Sequence, residues 1–284
     1  MLLLLVIPLG LDLYMPVPED NPITQGKIEL GRRLFFDRRL SRDGSISCSS
    51  CHDPDRAFSD DRAVAEGISQ RVGRRNAPAL INRGYGRLFF WDGRVATLEE
   101  QVLKPIEDPN EMDLPLAEAA ARVGLDAVTM SRALASFVRS LLSGDSPYDR
   151  FVNGGRAALS TRQQLGLQLF RGKANCTACH VGPNFTDEAL HNTGVAWRDG
   201  NFADHGAGQG RFKTPTLREV ARSAPYMHDG SLTTLEDVVE FYDAGGRANP
   251  SLDPEIRRLG LSPVEKQGLV AFLGALSGRA RAAE

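Results

Sequence analysis

The pattern Cys-x-x-Cys-His occurs twice in this chain of 284 residues, and no other feature narrows the choice of fold so far. The first copy is Cys48, Cys51 and His52 in "SCSSCHDPDRAFSD"; the second is Cys176, Cys179 and His180 in "CTACH". Together they use all four cysteines and two of the five histidines. A disulfide oxidoreductase needs one CxxC opening a helix in a βαβ setting, and this chain has no strand-rich context for it. A zinc site can use four cysteines but does not require a histidine directly after each pair. Covalent haem c consumes the whole set. The two cysteines of each copy form thioethers, and the adjacent histidine turns inward to ligate iron. Two covalently bound haem c groups are therefore expected. Attachment of this kind takes place outside the cytoplasm, so export is expected as well.

Apolar residues make up 42% of the chain and charged ones 25%, as in soluble globular proteins. The length leaves room for two domains, each with its own core. A net charge of -2 without a long basic run gives no electrostatic case for nucleic acid as a partner. The segment from Leu2 to Leu11 is apolar, but at ten residues it is too short to span a bilayer, and Asp12 ends it. Its length suits a signal peptide, although no Lys or Arg precedes it and no clear cleavage site follows. Residues 1–18 are set apart as a signal or anchor-like segment; the competing reading is a buried segment of the mature fold.

The rest reads as one pattern used twice. "IELGRRLFFDRRL" precedes the first motif and "QLGLQLFRGKAN" the second, with Leu30, Leu34, Phe35 and Leu165, Leu169, Phe170 at helical spacing. Each half closes on a similar helix, "ALASFVRSLLSG" (133–144) and "LVAFLGALSG" (269–278), ending on Ser-Gly as a C-cap. The Pro- and Gly-containing segment 145–161 reads as a linker. The expected fold is mainly α, with two tandem cytochrome c-like haem domains wrapped in long loops, over residues 19–156 and 157–284.

With "RRNAPALIN", "FFWDGR", "LEEQVLKPIEDPNEM", "RFKTPTLREVARSAPYMHDG" and "TLEDVVEFYDAGG", the chain resembles the bacterial dihaem cytochrome c peroxidases, including their MauG-type branch, over about residues 19–279. The resemblance implies that the His52 haem is the peroxide-reacting one and the His180 haem the electron-entry site. Glu111 matches the distal acid–base glutamate, Gln101 the distal glutamine and Pro105 a pocket residue between them. Splitting peroxide needs a group that moves a proton between its oxygens and a dipole that polarises the bond. Glu107 and Asp108 read as solvated carboxylates. Trp91 matches a tryptophan lying between the haems and is expected to relay electrons, while also packing with Phe89 and Phe90. Trp197 has no such match and reads as structural.

Better-known members carry a distal histidine in the loop before "RNAP". Here the aligned position is about Ile68, and no histidine lies between His52 and His180, so the first iron is expected to keep an open face. Met112 beside Glu111 reads as packing. For the second haem, counting fourteen residues from His228 gives Tyr242 where those peroxidases have methionine; MauG-type proteins use tyrosine there. A phenolate favours Fe(III). Met227 is the alternative ligand. The family also holds a calcium ion, whose ligands here would be the Asn76 side chain and the carbonyls of Ser223 and Pro225, oxygen donors that suit Ca²⁺. His228 is expected at the domain interface, His191 near the second haem and His205 exposed. Arg211 and Lys213 are candidates to pair with haem propionates.

The leading functional expectation is a periplasmic enzyme that reduces hydrogen peroxide to water with electrons from a small c-type cytochrome or cupredoxin. Electrons would pass from the His180 haem by Trp91 to the His52 haem. The first alternative is a MauG-type enzyme whose peroxide-derived high-valent haems oxidise residues of a partner protein. The second is a non-enzymatic dihaem electron-transfer protein. Family peroxidases are often homodimers.

Overall fold

Thr24 opens the first helix: its hydroxyl accepts the Lys27 N–H ahead of α1 (Gln25–Phe35). In the computed structural model, which describes residues 5–281, α1 buries Ile28, Gly31, Leu34 and Phe35 along one stripe. That stripe packs on α5 (Ala127–Ser140), which is capped by Asp126 and almost wholly buried from Met130 onward. Short helices fill the space between them: α2 (Leu98–Gln101), α3 (Lys104–Glu107) and α4 (Leu116–Val123). After α6 (Pro147–Val152) the plan repeats. Helix α7 (Thr161–Arg171) packs on α9 (Pro263–Gly274), with α8 (Leu235–Asp243) against α9. Ser160 with Gln163 and Ser262 with Glu265 form capping boxes that start α7 and α9.

Both helix pairs cross at a glycine. A Cβ on Gly31 would stand 2.0 Å from the Ala133 carbonyl oxygen, and one on Gly166 would stand 1.9 Å from that of Gly268. No other residue lets the two backbones close this far. Two separate apolar cores result, one running from Leu11 to Leu142 and the other from Leu159 to Leu276.

Few strands are present, and the described ones form three two-stranded ribbons. One corrects the expected helix ends. Helix α5 stops at Ser140, and β1 (Leu142–Gly144) pairs antiparallel with β6 (Arg279–Arg281). Ser143-Gly144 is thus strand, not C-cap, because Asn82 captures it: its amide donates to the Ser143 carbonyl and accepts the Ser143 N–H, both at 2.9 Å. Helix α9 likewise ends at Gly274, and the Gly278 N–H bonds Glu219 Oε1 at 2.7 Å.

The segment 145–161 is no loose tether. Ser146 and Asp149 cap α6, and Asp149 is fully buried against Arg218, with oxygens 2.6 and 2.9 Å from the guanidinium. Arg218 also bonds the Gly10 carbonyl at 2.9 Å. The N-terminal stretch is held by this and by Asp145 N–H on the Leu9 carbonyl, with Leu11 and Met15 buried in the first core. Residues 1–4 lie outside the described residues. Among the described residues no helix is long and apolar enough to cross a membrane.

Candidate active site

Each CxxCH folds as one 3-10 turn, Cys48–Ser50 and Cys176–Ala178. The turn brings each histidine N–H onto the first cysteine's carbonyl, at 3.0 Å for His52 and 2.9 Å for His180. The imidazoles are then oriented identically. Nδ1 of His52 lies 2.8 Å from the Phe58 carbonyl, and Nδ1 of His180 lies 2.8 Å from the Phe185 carbonyl. With Nδ1–H donating, Nε2 is the ring nitrogen that would ligate a metal, and the ring orientation is fixed. Phe35, Phe58 and Phe137 cluster beside His52, and Phe170, Phe185 and Phe272 beside His180. Burial lowers the pKa of both imidazoles and so keeps them neutral, the form that binds metal. Burial pushes the Cys48 and Cys176 thiols up to about 12 and Cys51 to about 11, an apolar setting that suits neutral thioether sulfur. The two carbonyl partners escaped sequence reasoning, although a Phe does stand six residues after His52 and five after His180.

Cys48, Cys51 and His52 line a cavity of about 70 Å³ together with Gln101, Pro105, Glu111 and Met112. Local structure fixes each of these. Gln101 ends α2, which Thr97 caps and Glu99 ties to α5 through Arg139 at 2.5 and 2.9 Å. Pro105 sits in the first turn of α3, and its carbonyl accepts the Met112 N–H. The Glu111 turn is clamped from outside by Arg71 on the Pro109 carbonyl and by Arg42 and Arg71 on Asp113. Ile68 is buried, and its N–H bonds the Glu111 carbonyl at 2.9 Å. Burial raises the Glu111 carboxyl to about 7; Asp108 adds to this and Arg94 opposes it. A carboxyl poised there can both take and return a proton near neutral pH.

A second cavity, of about 550 Å³, shares Cys51, His52, Gln101, Pro105 and Glu111 with the first and continues to Cys176, Cys179 and His180. Trp91 stands in its wall; its indole N–H donates to the Asn76 carbonyl at 2.8 Å, and its own carbonyl accepts the Lys213 N–H at 2.7 Å. Tyr242 lines the second half of this space. Burial holds its phenol well above the usual range, with the Cys176 and Cys179 sulfurs adding and a hydrogen bond from Thr193 opposing. Met227 lines the same cavity.

Asn76, Ser223 and Pro225 also face it. The Asn76 amide nitrogen donates to the Arg62 carbonyl at 2.8 Å, which leaves Oδ1 without a donor among the described residues. The Ser223 and Pro225 carbonyls likewise accept no hydrogen bond among the described residues. Three free oxygens fit a hard cation. His228 is buried between the halves, stacked on Phe212 at 3.6 Å, with its carbonyl on the Asn76 N–H. His191 lies between Asp253 (2.6 Å) and Asp187 (2.9 Å) beside the second motif. Cys179, Asp187 and His191 could hold a metal ion among themselves, but Cys179 belongs to the CxxCH. His205 is exposed. Arg211 is exposed and outside the cavity walls, whereas Lys213 is buried in them.

Residues 25–157 match the family model described as di-haem cytochrome c peroxidase. The methylamine utilization protein MauG of Methylorubrum extorquens is 39% identical over 92% of this chain and 81% of its own length. The chain belongs to the di-haem cytochrome c peroxidase family. A cytochrome-c peroxidase of Denitromonas iodatirespirans is 36% identical over 92% of this chain and 84% of its own. Among solved structures, a MauG-like protein associated with microbial copper homeostasis superposes with a TM-score of 0.86 at 34% identity, covering 93% of each chain. Membership makes this di-haem peroxidase homologue an oxidoreductase with covalently bound haem c, and the paired Cys, His and Phe-carbonyl sets fit two such groups.

Proposed function

We propose that the chain is a periplasmic dihaem peroxidase of two tandem cytochrome c-like domains, reducing hydrogen peroxide to water with electrons from a small c-type cytochrome or cupredoxin. One observation carries this: Gln101, Pro105 and Glu111 line the same cavity as Cys48, Cys51 and His52. A merely electron-transferring site has no use for a clamped carboxyl with a pKa near neutral.

When bound, haem c supplies a redox-active iron at each histidine. The residues do the rest. His52 and His180, fixed through the Phe58 and Phe185 carbonyls, would each supply a nitrogen ligand to one iron. The Gln101 amide orients peroxide by hydrogen bonding. Pro105 narrows the pocket with a ring that donates no hydrogen bond. The Glu111 carboxylate takes a proton from one peroxide oxygen and delivers it to the other, so that water leaves. Two electrons and two further protons complete the reduction to two waters. Trp91, in the wall of the cavity that reaches both motifs, would relay an electron from the His180 site, and Tyr242 would ligate the second iron. Asn76, Ser223 and Pro225 would hold Ca²⁺ through oxygen atoms alone.

Ile68 and Tyr242 together favour a second reading, in which the same oxidising equivalents are passed to residues of a partner protein. Optical and EPR spectra followed by kinetics separate the possibilities. One high-spin and one low-spin ferric haem are expected at rest; two low-spin haems would count against both readings. Rapid peroxide consumption with reduced cytochrome c supports the peroxidase. A negligible rate with a persistent near-infrared mixed-valent band would favour the protein oxidant instead.

A further inference from the structure

Of the two candidates to pair with haem propionates, Arg211 is exposed and Lys213 is buried. Lys213 is only 8% exposed and lines the large cavity. Its ammonium has two long contacts, 3.5 Å to Glu188 Oε1 and 3.3 Å to the Thr214 carbonyl. Glu188 is already engaged by Arg83 at 2.7 and 3.3 Å and by the Arg87 and Leu88 N–H groups at 3.0 and 3.2 Å. The other buried or half-buried cations in the same wall are closely matched. Arg75 sits 2.7 Å from both Asp92 and Asp204, Arg218 is closed on Asp149, and Arg83 adds the Leu88 carbonyl at 2.7 Å. Two cations on the cavity wall, Arg83 and Lys213, therefore share one carboxylate, and Lys213 is the poorly bonded one. An ammonium left so is costly unless an anion meets it. Burial first, then Arg83, pulls its pKa down to about 7, as expected of a charge short of a partner.

We propose that Lys213 receives a propionate of the haem held by His180. This rests on the haem reading given above. The assignment to that haem follows from the frame Lys213 belongs to. It pairs with Leu190 across the ribbon of β2 (Leu190–His191) and β5 (Phe212–Lys213). The next carbonyl, Thr214, accepts the Thr186 hydroxyl at 2.7 Å, one residue beyond the Phe185 carbonyl that orients His180. The backbone N–H of Lys213 itself donates to the Trp91 carbonyl. Lys213 thus positions the second haem and the tryptophan together, without touching peroxide.

The test is a redox titration of dihaem protein bearing Lys213→Gln or Lys213→Arg, with both haems confirmed by intact mass. Removing a cation beside a haem favours the ferric state, so Lys213→Gln is expected to lower the midpoint potential of the His180 haem alone, and Lys213→Arg to stay near wild type. An unchanged potential, or a shift at the His52 haem, overturns the proposal. Should Lys213→Gln not accumulate, resonance Raman of Lys213→Arg decides. A shifted propionate bending band of the His180 haem is expected, and an unchanged band overturns the assignment. Wild-type protein without two haems by mass would instead sink the haem reading on which this one rests.

Discussion

The Trp91 carbonyl accepts the Lys213 N–H at 2.7 Å, across the seam between the two halves of the chain. At its other end Trp91 gives its indole N–H to Asn76. Trp91, which lines the cavity that reaches both CxxCH motifs, is therefore fixed by backbone to the second half and by side chain to the first. Trp91→Phe keeps the first bond and loses the second. Both haem spectra should survive while donor-driven turnover falls roughly tenfold or more, a barrier rise of about 1.4 kcal/mol. Stopped-flow mixing of the reduced protein with peroxide, compared with steady-state assay, checks this; unchanged turnover would remove Trp91 from the electron path.

Glu111 is the titrating group of the first pocket. The carboxylate is the form that takes a proton, and its pKa is raised to about 7 by burial. Activity should therefore rise as pH passes upward through about 7 and fall below it. Glu111→Gln should lower kcat/KM by about 10²–10⁴-fold, flatten that limb and leave both haem spectra in place. A variant that keeps the wild-type pH profile would show that another group does the work.

Tyr242→Phe removes the only hydroxyl proposed to reach the second iron. The spectrum of the His180 haem should change and that of the His52 haem should not. If neither changes, Met227, on the same cavity wall, takes over the assignment.

Calcium gives a separate readout. Chelation should lower the melting temperature of the wild type, and added Ca²⁺ should restore it. In Asn76→Ala the response to both treatments should vanish. Differential scanning calorimetry shows whether the variant has lost the calcium dependence or has merely become less stable while retaining it.

Two glycines carry a stability prediction. Gly31→Ala or Gly166→Ala would press a methyl group onto a backbone carbonyl 2.0 or 1.9 Å away. Overpacking of this kind costs about 1–3 kcal/mol. Gly274→Ala at the end of α9 meets nothing within 4 Å and serves as the control, neutral or slightly stabilising. Urea titration of the three variants measures the difference.

Much of this was legible in the sequence because it is local. A CxxCH is a single turn, so its spacing already specifies where two sulfurs and an imidazole must stand. The "LG" before each motif repeats in "IELGRRLFF" and "QLGLQLF", and it marks the helix crossings, although only the packed structure shows that the glycine is what lets the backbones meet. The expected Ser-Gly helix ends failed for the opposite reason. Asn82, 61 residues from Ser143, takes that strand's hydrogen bonds, and no local pattern announces a partner so distant.

By itself, then, the sequence determined two haem-attachment turns, the helices that flank them and the residue types available around them. Only the tertiary structure decided which of these face one another. Glu111 and Gln101 come to line one cavity with His52, on short helices and a turn clamped by arginines. Lys213 is left in the cavity wall because Glu188 is already taken by Arg83 and two backbone N–H groups. Spacing along a chain fixes neighbours within a turn. Which distant charge finds a partner, and which is left facing a cavity, depends on how the two halves pack.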